Sequence, residues 1–123
     1  MIKRSKYSYE ATLSKLQERI VAAGNTIFDT IDQAAAAKEA GLELRPTALI
    51  LFGNPKVGTP FMDAFPMVAL ELPLKLLVWE GSEGVEVAYV AMSEIAARYG
   101  VTALDGPVAA IDAALERLTG SIV

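Results

Sequence analysis

The sequence contains no cysteine and no histidine. Without thiols there is no disulfide, no thiolate nucleophile, no iron–sulfur ligation and no thiolate zinc site. Without imidazole there is no Ser-His-Asp triad and no His-ligated metal or haem. Acid–base chemistry falls to carboxylates, Lys or Tyr. A metal, if one is used, is a hard ion held by oxygens. No particular cofactor is implied. The chain also lacks any apolar run of the roughly 18 residues needed to span a bilayer. The N-terminus, MIKRSKYSYE, has neither an apolar core nor a small-residue cleavage site. No signal peptide and no membrane segment are therefore expected, and the cytoplasm is the default location. Basic residues are outnumbered, 11 against 15 acidic, for a net charge of −4. That balance argues against a nucleic-acid partner, which asks for a basic patch. The Lys3-Arg4-Lys6 cluster reads instead as the solvated edge of a first strand, where Lys is a common guard.

What is present is a globular composition: 53% hydrophobic and 21% charged residues, too apolar to be disordered. A chain of 123 residues suits one domain with one core, here residues 1–123. Residues 2–8 read as a short strand. Ser8 is placed to cap a helix over 9–23, with Leu13, Leu16, Ile20 and Val21 on its apolar stripe. Gly24-Asn25 stops it. Thr26–Ile31 reads as a second strand and Gln33–Ala40 as an Ala-rich helix closed by Gly41. Thr47–Phe52 is an apolar strand, followed by a Gly/Pro-rich loop and a short helix over Phe65–Leu70 with Pro66 in its first turn. Leu74–Glu80 and Val85–Val90 form a hairpin around Gly81-Ser82-Glu83-Gly84. Ser93 is placed to cap a short helix in which Glu94 and Arg98 pair. A final amphipathic helix starts near Asp105, with Val108, Ile111, Leu115 and Leu118 on one side. This order predicts an α+β fold: an antiparallel-rich sheet with helices mainly on one face.

The block Leu49–Glu80 concentrates the candidate chemistry. Gly53-Asn54-Pro55-Lys56-Val57-Gly58-Thr59 follows an apolar strand and invites comparison with a phosphate-binding loop. That motif needs Lys, then Ser or Thr, after the second Gly. Here Thr59 follows Gly58 directly, and Pro60 has no N–H to offer a phosphate. The segment therefore reads as a shaped turn, its glycines permitting and its prolines fixing the dihedrals. It can still bind a small anion or polar ligand through Asn54, Lys56 and Thr59. Lys75 stands in an otherwise apolar strand; buried, it would be a base or nucleophile, and at the surface an ordinary solvated amine. Arg45, before Pro46, is an anion clamp or a loop anchor. Asp29, Asp32, Asp63 and Glu71 offer carboxylates, but no spacing pairs any two. Phe52, Phe61, Phe65, Trp79 and Tyr89 read as core or interface aromatics.

The run GLELRPTALILFGNPKVGTPFMDAFPMVALELPLKLLVWE resembles the DUF302 family, a bacterial and archaeal family of unknown function. The likeness rests on Phe52–Lys56, Gly58-Thr59-Pro60 and Leu72-Pro73-Leu74-Lys75. It extends to Ile31-Asp32 and Arg98-Tyr99-Gly100. It implies a compact α/β sandwich of the TATA-binding-protein-like kind, a homodimer, and no established catalytic residues to carry over. Relatives often carry His where this chain has Gln33 and Tyr99, so a His-dependent activity would not transfer. Gln33 keeps hydrogen-bonding capacity but no charge.

Three functional readings follow. The first is a homodimeric domain that binds a small molecule or anion and regulates. Its site centres on Asn54–Thr59, with Lys75, Arg45 and Asp32 as neighbours. The second is an enzyme using Lys or carboxylate chemistry in that pocket, which requires a buried, pKa-shifted amine. The third is a structural interaction module in which the apolar block and the last helix build a dimer interface.

Overall fold

The computed structural model describes the whole chain, Met1–Val123. The elements run Ile2–Arg4 (β1), Tyr9–Ala22 (α1), Thr26–Asp32 (β2), Gln33–Glu39 (α2), Thr47–Gly53 (β3) and Pro55–Ala64 (α3). A 3-10 turn, Pro66–Leu70, leads to Leu74–Gly81 (β4), Gly84–Ala88 (β5), Met92–Arg98 (α4) and Asp105–Gly120 (α5). The strands form one five-stranded sheet in the order β1-β5-β4-β3-β2, every neighbouring pair antiparallel. The fold is α+β, as the pattern predicts.

Strand periodicity divides the sheet into two unlike faces. On the inner face, Ala48, Ile50 and Phe52 of β3, Leu76 and Val78 of β4, and Val85 and Val87 of β5 are buried. They form one core with Leu16 and Ile20 of α1, Met92 and Ile95 of α4, and Ile111, Leu115 and Leu118 of α5. Each of the larger side chains contributes about 1.5–3 kcal/mol by leaving water. On the outer face, the register aligns Ile31, Leu49, Leu77, Ala88 and Ile2 in one row across all five strands. No residue of that row is fully buried, and Ile2 is 63% exposed.

The β4–β5 hairpin is as expected, closed at the Gly81–Gly84 pair by Ser82 and Glu83. Glycine is required at Gly84 and favoured at Gly81. Gly84 has φ +138°, and a Cβ on Gly81 would sit 3.2 Å from the Gly84 carbonyl oxygen. Val85, Val87 and Tyr89 share the inner face, all buried.

Four local expectations differ from the structure. The first strand stops at Arg4, because the Ser5 hydroxyl accepts from the Tyr7 amide at 3.1 Å and bonds Thr12 Oγ1 at 2.6 Å, turning the chain into α1. Ser8 does cap α1, but its buried stripe is Thr12, Leu16 and Ile20, and Val21 is 59% exposed. Residues 55–64, read as a loop, are helical. Asn54 caps them, Pro55 occupies the first turn, and Pro60 lies inside the helix. Proline at that position normally costs about 3 kcal/mol or more; Phe61, wholly buried in the core, anchors the segment against that cost. Finally, α4 begins at Met92, and Ser93 does not cap it. Arg98 pairs with Glu71 at 3.3 Å, not with Glu94.

Candidate functional site

The principal cleft, about 920 Å³, opens between α1, α3 and α5 at the end of the sheet where β3 runs into α3. Leu51, Met62, Leu72, Ile111, Leu115 and Leu118 contribute apolar walls. Ala22 of α1, Ala23 just after it, and Ala110 and Ala114 of α5 also line it, and their short side chains leave the space open. Polar residues are few: Asn25, Asn54, Thr59, Arg19 and Arg117.

The Asn54 side chain has a local task. Its Oδ1 accepts from the Lys56 amide at 3.0 Å. The amides of Val57 and Gly58 both donate to the Asn54 carbonyl at 2.9 Å. With Pro55 lacking an N–H, every amide of the first turn of α3 is accounted for. This helix end presents no free backbone N–H to a phosphate. The cause is Pro55 and the Asn54 cap, since the helix starts at Pro55 and Pro60 lies inside it, not at its start as the sequence suggests.

The six candidate residues from the sequence do not form one site. Asn54 and Thr59 line the principal cleft. Asp32 and Arg45 line a second depression of about 700 Å³, beside Tyr9, Glu10 and Lys38. There the Asp32 carboxylate also caps α2 by accepting from the Ala35 amide at 2.9 Å. Lys56 is exposed on α3 and lines neither depression. Lys75 pairs with Leu51 across the outer face, and its amine donates to the carbonyls of Glu71 and Pro73, each at 3.1 Å. The structure adds Arg19, Arg117 and Asn25, which the sequence reading did not select. Their signal was faint: two arginines on polar helix faces with no acidic residue three or four positions away.

The displaced titrations lie elsewhere. The Tyr99 hydroxyl donates to Glu71 Oε1 at 2.8 Å. That bond, followed by the Arg98 and Lys75 charges, holds Glu71 below the usual carboxylate range against its partial desolvation, and raises Tyr99. Lys3 and Tyr89 together lower Glu116, at 2.7 Å each. Burial, then the Glu116 bond, pushes Tyr89 up to about 12. Burial and the Asp32 charge raise Tyr9. No group of three or more Asp or Glu side chains is placed to hold a metal ion.

The family model "Domain of unknown function DUF302" matches residues 1–121. The chain belongs to the DUF302 family. A crystal structure of an uncharacterized conserved DUF302 protein from Bacillus stearothermophilus superimposes with a TM-score of 0.91 at 17% identity. The match covers 100% of this chain and 97% of that one, so the family fold is shared end to end. Among curated proteins, 80 residues are 40% identical to "Fluoride-specific ion channel FluC 1" of Brucella suis biovar 1 (strain 1330). This is 65% of the DUF302 chain and 32% of that protein. An 80-residue match, also 40% identical, is found to "Fluoride-specific ion channel FluC 1" of Brucella abortus biovar 1 (strain 9-941), over 65% of this chain and 30% of that protein. The matched segment thus spans about a third of these relatives. No helix of this chain is long and apolar enough to cross a membrane.

Proposed function

We propose that this DUF302 domain binds a small ligand and regulates, rather than catalysing a reaction, with the cleft beside Asn54 and Thr59 as its site. The observation that carries this reading is the cleft itself. A volume of about 920 Å³, apolar walls and a few convergent polar groups are the general form of a small-molecule site. Binding is favoured over catalysis because the groups with displaced pKa values, Tyr9, Glu71, Tyr89, Tyr99 and Glu116, all lie outside the cleft. The Lys75 amine, the leading base candidate, is occupied by two backbone carbonyls. The partial likeness to fluoride-channel proteins supports a regulatory setting. A segment with no membrane-crossing helix reads there as an accessory unit carried beside a channel, and fluoride belongs in any ligand panel for that reason.

The test is a thermal-shift and calorimetric screen against carboxylates, phosphates, fluoride and amphiphiles. At least one ligand is expected to raise the melting temperature. Ala114→Leu, which fills the cleft, is expected to remove that shift. Ligands that act equally on the wild type and on Ala114→Leu would sink the assignment.

A second reading is favoured by the outer sheet face. The row Ile31, Leu49, Leu77, Ala88 and Ile2 is apolar and only partly covered, and is flanked by Asp29, Lys75, Glu86 and Arg4. A face with an apolar centre and both charge signs at its margins is self-complementary, which suits an isologous homodimer. Sedimentation equilibrium at micromolar concentration is expected to show a dimer, and Leu77→Lys a monomer. A monomeric wild type would remove this reading.

A further inference from the structure

We infer that the cleft takes an amphipathic anion, an apolar chain ending in a carboxylate, with the chain between α1, α3 and α5 and the head on Arg19 and Arg117. This rests on the binding reading above and names the ligand class it leaves open.

Charge carries the first step. The protein has 15 acidic residues, yet no Asp or Glu lines the cleft, while two arginines do. Neither arginine is spent inside the protein. The ion pairs of the structure use Lys3, Arg4 and Arg98, and no hydrogen bond engages the side chain of Arg19 or Arg117. Helical neighbours explain why. Three and four residues from Arg19 stand Lys15, Leu16, Ala22 and Ala23. The same positions around Arg117 hold Ala113, Ala114, Gly120 and Ser121. Each arginine also lies in the last turn of its helix, where a cation complements the dipole. That accounts for their position along the axis and not for their sharing one cleft.

Shape and chemistry narrow the ligand. The walls are aliphatic apart from Phe28 and Phe52, so the body of the ligand is apolar. The first turn of α3 has no free backbone amide, so donors for a head group come from side chains, the neutral Asn54 and Thr59 and the charged Arg19 and Arg117, and only the arginines bring charge to an anionic head. A planar fork of N–H groups matches a carboxylate in bidentate fashion. Both arginines are exposed, which keeps the head at the mouth of the cleft in contact with water. A small, strongly hydrated anion would gain nothing from the apolar walls behind it.

The test is isothermal titration of the full chain with decanoate below its micelle concentration, beside decanol, decyltrimethylammonium and acetate. Decanoate is expected to bind once per chain, and decyltrimethylammonium and acetate not measurably. Arg19→Gln/Arg117→Gln should weaken decanoate by roughly tenfold or more, the scale of a lost charge-assisted pair, while decanol binds both proteins alike. Ala114→Leu should abolish decanoate and decanol together. Equal decanoate affinity for the wild type and the double glutamine variant would overturn the head assignment, and so would cation binding equal to anion binding. Both outcomes use exposed side chains or the wild type alone, so neither depends on a variant that fails to fold. Binding of neither decanoate nor decanol would overturn the amphiphile assignment. The wider ligand panel, read through Ala114→Leu, separately decides whether the cleft binds anything.

Discussion

Helix α4 is held at its start by a side chain from another helix, and removing it gives a sharp test of the packing. Ala91 stands at the N-cap and has no polar side chain. The Asp112 carboxylate of α5 takes its place: Oδ1 accepts from the Met92 amide at 2.6 Å and Oδ2 from the Ser93 amide at 3.2 Å. The loss in Asp112→Ala can be built from parts. An N-cap is worth about 1 kcal/mol, and hydrogen bonds to a charged group about 1.5–3 kcal/mol. The two overlap, since the bonds are the cap, and the site is half-buried, so the expected cost is about 2–3 kcal/mol. At roughly 4 °C per kcal/mol for a domain of this size, the melting temperature should fall by about 8–12 °C. Asp112→Asn keeps one acceptor oxygen without the charge and should lose about half as much. Ser93→Ala should change stability by less than about 0.5 kcal/mol, because its hydroxyl makes no cap bond. Urea titrations of the three variants, with the slope held common, read the differences directly. Hydrogen exchange at the Met92 and Ser93 amides localises them. The reasoning fails if Ser93→Ala costs as much as Asp112→Ala, or if Asp112→Ala stays within about 0.5 kcal/mol of the wild type.

Further outcomes follow from single features. Glu71 is held below its ordinary value of 4.5, so its contribution is complete above that pH and is lost as pH falls through the folded-state value. Tyr99→Phe removes the largest cause and should flatten the acid-side fall of the urea midpoint; an unchanged pH slope would refute this. Tyr89 is raised to about 12 from 10.0, so its contribution is complete below pH 10 and is lost as pH rises toward 12. Tyr89→Phe should narrow the stability gap to the wild type over that interval, and parallel curves would count against it. Ala103 has φ +63°, a conformation that costs a residue with a Cβ about 1–2 kcal/mol. Ala103→Gly should therefore stabilise by about 0.5–1 kcal/mol, net of the looser unfolded chain. A lower melting temperature would contradict it. Phe61→Ala, on the buried face of the proline-containing helix, should cost about 3–5 kcal/mol in chemical denaturation. A smaller loss would mean that Phe61 does not anchor α3.

The fold was legible where one periodicity dominated. Alternating Ala48, Ile50 and Phe52, and Leu76 and Val78, specify strands whose inner face is buried, and the Gly81–Gly84 turn joins β4 to β5 with no competing option. It was illegible where a tertiary contact overrode local preference. Gly58, Thr59 and Pro60 are poor helix formers, and the burial of Phe61 that outweighs them is not written in their spacing. Asp112 lies 20 positions from the Met92 amide it caps, so a local search finds Ser93 first. Arg98 and Glu94 stand at the right helical separation, but Glu71, 27 positions away, already carries Tyr99 and takes the arginine.

The candidate site was legible in part for a related reason. Motif reading weighs residues by the chemistry they carry alone, so it gathers Asn54, Lys56, Thr59, Lys75, Arg45 and Asp32. Folding sorts those residues by face and end, and that sorting divides them. Lys75 points away from the core because β4 alternates, and its amine meets carbonyls at the foot of its own strand. Asp32 and Arg45 lie together beside α2, away from the principal cleft. The arginines that do line the cleft come from α1 and α5, about a hundred residues apart in sequence, and neither sits in a motif. What marks them is the lack of a partner: a guanidinium with no carboxylate in helical reach, beside alanines that leave room for something else. An unpaired charge next to unfilled apolar space is a property of two helices together, and only their packing displays it.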